Sequence, residues 1–257
     1  MKEGQKLWTR EELILAVNLY CKLPFGRLHS RNPEIINLAN LIGRTSNSVA
    51  FKLVNFASLD PSLQARGIKG ASNASNLDKE IWNEFYHHWD ELPFESEKLL
   101  ARFENTTVEK LNHIPENELS KEGKMREQLV KVRVNQSFFR CSILAPYNNT
   151  CCITGLQQPE FLIAGHIRPW GLDENNRLNP CNGMAMNALH DKAFETGLIT
   201  ITPEFKIKVS PILLKQKISP SMETYFTRYQ DQDIILPSRF LPDSEFLKYH
   251  NQERFKS

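Results

Sequence analysis

Two histidines and their neighbours carry the chemistry of this sequence. Phe161-Leu-Ile-Ala-Gly-His166-Ile is a short apolar run that predicts a buried strand, with His166 at its end. Asn182 is expected to open a helix running to about Glu195, which places His190 two turns along it. A strand end facing a helix brings two imidazoles together from distant positions. A neutral imidazole is a serviceable base near pH 7, with an unperturbed pKa of about 6.5, and its nitrogens also ligate divalent cations. Asp191 follows His190 and points about 100° away from it on a helix. Asn187, three residues before His190, shares its face and can support it.

The order of the surrounding residues is more specific than either histidine. Cys151-Cys152-Ile-Thr-Gly155 is followed by Gly165-His166-Ile-Arg-Pro169-Trp170, then Asn182-Gly183, Leu189-His190 and Phe194-Glu195-Thr-Gly197. This succession resembles the HNH endonucleases, tightly between Cys151 and Ile201 and loosely from Gln136 to Val209. The resemblance implies a ββα-metal fold that hydrolyses phosphodiester bonds, which requires an activated water and neutralisation of developing charge. It makes His166 the base that takes a proton from water. Asn182 would orient that ring through its amide oxygen, and His190 would ligate one divalent cation. Catalytic roles thus fall to His166, Asn182 and His190, and metal contacts to His190 and Asp191. Magnesium or manganese is the expected ion, although imidazole ligation also admits zinc or nickel.

Two positions depart from the family pattern. Many HNH enzymes carry an acid directly before the base, where this chain has Gly165. Many carry a further histidine four residues after the metal histidine, where this chain has Phe194. The expected ligand set is therefore sparse, with Asp191 or Glu195 as supplements. No Cys-x-x-Cys pair is present, so a tetrahedral cysteine zinc site is not expected. Arg168 either contacts phosphate or pairs with a nearby acid, and Pro169 and Trp170 shape the loop.

The elements that precede this region read as helices. Thr9 and Glu12 have capping-box spacing ahead of an apolar stripe over residues 10–22. Asn32-Pro33 opens a second helix that stops at Gly43, and Thr45 or Ser46 caps a third. Helix, glycine turn and helix resemble the tri-helical DNA-binding units of the Myb-like or homeodomain-like type. Its DNA contacts would include Arg44, Asn47 and Lys52, with Arg168 added from the second domain. Residues 60–76 are expected to be a basic loop that includes Lys69 and Gly70. Residues 77–92 should be one helix whose aromatics enter the core, with His87 and His88 outside it. Helices over 118–132 and 135–144 follow, then a turn at Tyr147–Thr150. A hairpin is expected over Leu198–Val209, and the Tyr249-His250 stretch should wrap back onto the domain.

Charge and composition bound the class. Lysine and arginine (32) nearly balance aspartate and glutamate (30), while 40% of residues are apolar. Two stretches are locally basic. Between residues 21 and 70 Lys22, Arg27, Arg31, Arg44, Lys52, Arg66 and Lys69 face only Glu34 and Asp60; the other runs from Lys121 to Arg140. No run approaches the roughly 18 apolar residues of a membrane span. Five cysteines, an odd number, suit a reducing compartment. The expectation is an α+β protein of the cytoplasm. A helical helix-turn-helix-like domain (1–104) and a linker with a connecting helix (105–133) precede the HNH nuclease domain (134–257). Its partner would be DNA, with no membrane, and a homodimer is compatible. The function expected is metal-dependent DNA cleavage in restriction or defence. The alternatives are a DNA-binding regulator with a vestigial HNH fold and an RNA-cleaving toxin.

Overall fold

The first helix, α1 (Arg10–Lys22), starts at a complete capping box. Thr9 Oγ1 accepts from the Glu12 N–H at 3.3 Å, and the Glu12 carboxylate accepts from the Thr9 N–H at 2.9 Å. The computed structural model describes residues 6–68, 73–86, 88–120, 122–215 and 219–257. Lys69, Gly70, His87 and Lys121 lie outside them. Asn32 caps α2 (Pro33–Leu41), and Thr45 caps α3 (Ser46–Ala57). Gly43 between them has φ +65°, the left-handed conformation that glycine adopts without strain. Leu13, Ile14, Val17 and Tyr20 of α1 are buried, as are Ile35 of α2 and Val49, Leu53 and Phe56 of α3.

Asp60-Pro61 caps a short helix, α4 (Pro61–Ala65), in a segment expected to be loop. The helix expected over 77–92 is interrupted. α5 (Asn76–Tyr86) ends, and α6 (Leu92–Phe103) begins with Pro93 in its first turn, where the missing N–H costs nothing. Trp82, Phe85 and Trp89 are buried, and the Trp82 ring meets Tyr20 edge-on at 5.8 Å. α7 (Val108–Leu111) follows. The two helices expected over 118–144 are one, α8 (Gly123–Leu144). Asn135 does not cap a break there; its amide donates to the Asp90 carbonyl at 3.4 Å.

Two compact units result, Met1–Cys141 and Ser142–Ser257. The stretch 105–133, expected to connect domains, lies within the first. Its Val108, Ile114 and Leu119 pack against Phe94, Val130 and Val134. In the second unit β1 (Leu162–His166) pairs antiparallel with β2 (Gly183–Asn187), His166 opposite Gly183. β2 occupies residues expected to be helical. Gly183, Met184, Ala185 and Met186 are all buried, a continuous run that suits a strand covered on both faces. The helix is α9 (Ala188–Glu195), capped by Asn187, whose side chain accepts from the His190 N–H at 3.0 Å. β1, β2 and α9 form the ββα unit. The hairpin β3 (Ile199–Ile201) and β4 (Ile207–Val209) follows, then α10 (Pro211–Leu214), α11 (Pro220–Tyr225) and α12 (Ser244–Tyr249). A π-helical turn, His250–Arg254, closes the chain against β3 and α9.

Candidate active site

His166 stands at the end of β1, half-buried, on a cleft of about 370 Å³. Its Nε2 lies 2.9 Å from the Arg177 carbonyl. A carbonyl only accepts, so this nitrogen carries the proton and the basic lone pair belongs to Nδ1. Burial holds the ring below its ordinary pKa, only partly offset by the bond to Arg177, so His166 is neutral at pH 7. The Trp170 ring braces it edge-on at 5.6 Å.

Asn182 is buried and positions the loop behind His166, making no direct bond to the ring. Its Oδ1 accepts from the Arg168 N–H at 2.8 Å, and its Nδ2 donates to the carbonyls of Arg168 (3.2 Å) and Asn176 (3.0 Å). Its own carbonyl accepts from the Ile167 N–H. One amide thus pins both ends of the segment that follows the strand.

His190 and Asp191 go separate ways, as neighbours on a helix must. His190 is 1% exposed and does not face the cleft. Its Nε2 donates to the Tyr225 carbonyl at 2.6 Å, and its Nδ1 accepts from the Asn187 amide at 2.8 Å. The rings of Phe226 and Tyr229 stand edge-on to it, each at 5.6 Å. Both nitrogens are engaged, so the structure does not bring His190 to the cleft as a ligand. It locks α9 in place.

Asp191 faces the cleft instead. Its carboxylate has no hydrogen bond or ion pair among the described residues. Burial, with the charge of Glu195 added, pushes its pKa up to about 6, against which Lys192 acts weakly. A Cβ at Gly165 would lie 2.2 Å from Asp191 Oδ1 and 2.7 Å from Met186 Cε. The carboxylate therefore occupies the space that a side chain at 165 would need.

Among the described residues no group of three histidines, cysteines or acids is placed to hold a metal. The donor that fits one is the carboxylate of Asp191, which has no partner among the described residues. A hard cation that keeps several waters needs few protein oxygens. Glu195 lines the same cleft but is ion-paired with Lys192 at 2.8 Å. His250 also lines it, stacked on Phe194 at 3.6 Å. Thr200 donates to His250 Nδ1 at 2.8 Å, and Nε2 donates to the Phe194 carbonyl at 3.0 Å. Burial lowers its pKa to about 4, so His250 is a neutral structural ring. Cys151 Sγ accepts from the Asn187 N–H at 3.3 Å and the Thr154 N–H at 3.5 Å. That cysteine ties the turn before β1 to the cap of α9.

The residues expected to touch DNA are mostly engaged internally. Arg44 donates to Glu12 (2.7 Å) and to the carbonyls of Lys6 and Leu7, and its guanidinium lies 4.1 Å over the Trp8 ring. Lys52 is buried in an ion pair with Asp78, bonding both carboxylate oxygens at 2.8 Å. Arg168 pairs with Asp173 at 2.9 Å and lies over Tyr249. Asn47 alone of the four is exposed and carries none of these ties. Arg254, on the π-helical turn, borders the cleft and was not marked by any motif.

No described helix is long and apolar enough to cross a membrane. Among curated proteins none matches the chain. The segment that supplies β1, β2, α9 and β3, residues 151–202, matches the family model of the HNH endonucleases.

Proposed function

We propose that the protein is a metal-dependent endonuclease that hydrolyses DNA phosphodiester bonds, with His166 and Asp191 as its working pair. The observation that carries this is the shared cleft: a neutral imidazole at a strand end and an uncompensated carboxylate on the facing helix. His166 takes a proton from the attacking water. The Arg177 carbonyl holds its ring, and Asn182 holds the loop that supplies that carbonyl. Asp191 holds one divalent cation, magnesium or manganese. Such an ion supplies neutralisation of the charge that builds on the phosphate and the departing oxygen. His190 keeps α9 in register through Tyr225 and Asn187. DNA as substrate, and a role in defence against foreign DNA, belong to the same proposal. The surface residue Asn47 on α3 is its remaining candidate base contact.

One observation favours a second reading, a DNA-binding protein with a vestigial nuclease fold: His190 has both nitrogens engaged and Asp191 stands alone. Purified protein incubated with plasmid DNA and structured RNA, in Mg²⁺, Mn²⁺ or EDTA, separates the two. Metal-dependent cutting of DNA that His166→Ala loses supports the nuclease. Binding that persists in EDTA, without cutting under either ion, supports the alternative.

A further inference from the structure

The proposed working pair leaves one requirement unmet. Asp191 is taken up by the cation and Glu195 by Lys192, so a polyanionic substrate still needs a positive side chain to hold its phosphate. Two nearby cations are already committed, Arg168 to Asp173 and Arg177 to Glu174 and the Trp170 carbonyl. Arg254 is not. It borders the cleft beside His166 and Asp191, and also an adjoining groove of about 440 Å³ where Lys192 and Lys256 stand with Glu195 and Glu253. Its Nη2 donates to the Glu195 carbonyl at 3.0 Å. It makes no ion pair among the described residues.

We propose that Arg254 binds the phosphate presented to His166 and Asp191, and that Lys256 meets the adjoining nucleic-acid backbone along the groove. This rests on the nuclease reading and adds a substrate-binding residue from outside the segment that matches the family. The backbone at Arg254 is fixed by close contact. Gly197, at φ +74°, would place a Cβ 2.0 Å from the Arg254 carbonyl oxygen, so only glycine lets the C-terminal turn settle there. The Lys256 N–H donates to the Gly197 carbonyl at 2.9 Å, Ser210 Oγ donates to the Lys256 carbonyl, and the Phe255 N–H closes onto His250 at 2.9 Å. A guanidinium held this way offers further donors in a planar fork that matches phosphate oxygens. The competing role is local: Arg254 caps the carbonyl end of α9 and does nothing for substrate.

The full-length protein with Arg254→Gln and Arg254→Lys distinguishes these roles. Glutamine can still donate to the Glu195 carbonyl but carries no charge, whereas lysine keeps the charge. The measurements are plasmid cleavage in Mg²⁺, melting temperature, and the salt dependence of duplex binding in an inactive His166→Ala background. Arg254→Gln should lower kcat/KM roughly 10- to 100-fold, the range of one charge-assisted contact. It should reduce the salt slope by about one phosphate contact at an unchanged melting temperature, and Arg254→Lys should recover much of the loss. Unaltered cleavage and salt slope in Arg254→Gln overturn the proposal, as does an equal loss in both variants with a falling melting temperature. If the unsubstituted chain fails to cut in Mg²⁺ or Mn²⁺, the nuclease reading falls and this inference with it.

Discussion

Replacing Asp191 by asparagine should stabilise the metal-free protein while removing its response to divalent cations. The carboxyl group titrates at about 6 in the fold against an ordinary 3.8. At 1.36 kcal/mol per pH unit, ionising it in the folded state costs about 3 kcal/mol. The group keeps some access to water, which screens the cost to about 1–2 kcal/mol. Below pH 3.8 both states hold the proton and the group contributes nothing. Between there and about pH 6 the folded state alone retains it, so stability falls as pH rises, and above pH 6 the full cost is present. Asparagine abolishes that dependence. Urea denaturation in EDTA from pH 4.5 to 7.5 should therefore show the two proteins diverging, with Asp191→Asn the more stable at pH 7.5. Saturating Mn²⁺ should raise the stability of the unsubstituted protein at pH 7.5 and leave Asp191→Asn unmoved. Parallel pH profiles, or equal stabilisation by Mn²⁺, would refute the assignment.

Other perturbations reach the same architecture from different sides. Gly165→Ala puts a methyl into the space of the Asp191 carboxylate, and calorimetric titration should record weakened Mn²⁺ binding; unchanged affinity contradicts Asp191 as the group that holds the cation. Lys52→Met strands a buried Asp78 and should cost about 3–5 kcal/mol in urea titration, whereas a loss within 0.5 kcal/mol, the usual effect of a surface change, would place that lysine on a working surface. Because His166 titrates below its ordinary value and Asp191 at about 6, kcat/KM should rise through pH 6 and be level above pH 7; a rising limb centred above pH 7 would require another base.

What could be read from the residues alone was local. The capping pairs Thr9 with Glu12 and Asn32 with Pro33 mark helix starts through contacts three or fewer residues away, and both stand as expected. The ordered motif around His166 places it at a strand end because an apolar run must terminate where the polar loop begins. Asn182 and Asn187 were harder, since both precede helix-compatible residues. Only pairing with β1 makes 183–187 a strand and moves the cap to Asn187. The choice between His190 and Asp191 turns on the rotation of α9 about its axis. That rotation is decided by Tyr225, Phe226 and Tyr229, thirty and more residues away. Arg44 and Lys52 read as phosphate contacts because their partners, Glu12 and Asp78, come from other helices. Arg254 carries no local signal; its place follows from the room left by Gly197.

The pairing of His166 with Asp191 is tested most directly by cleavage rates in Mg²⁺ for His166→Ala, Asp191→Asn and the double variant. Residues that serve one reaction do not contribute independently. Each single substitution should lower kcat by roughly 100-fold or more, and the double should fall little further. Near-normal cutting by either single variant, or losses that multiply in the double, would contradict a common site.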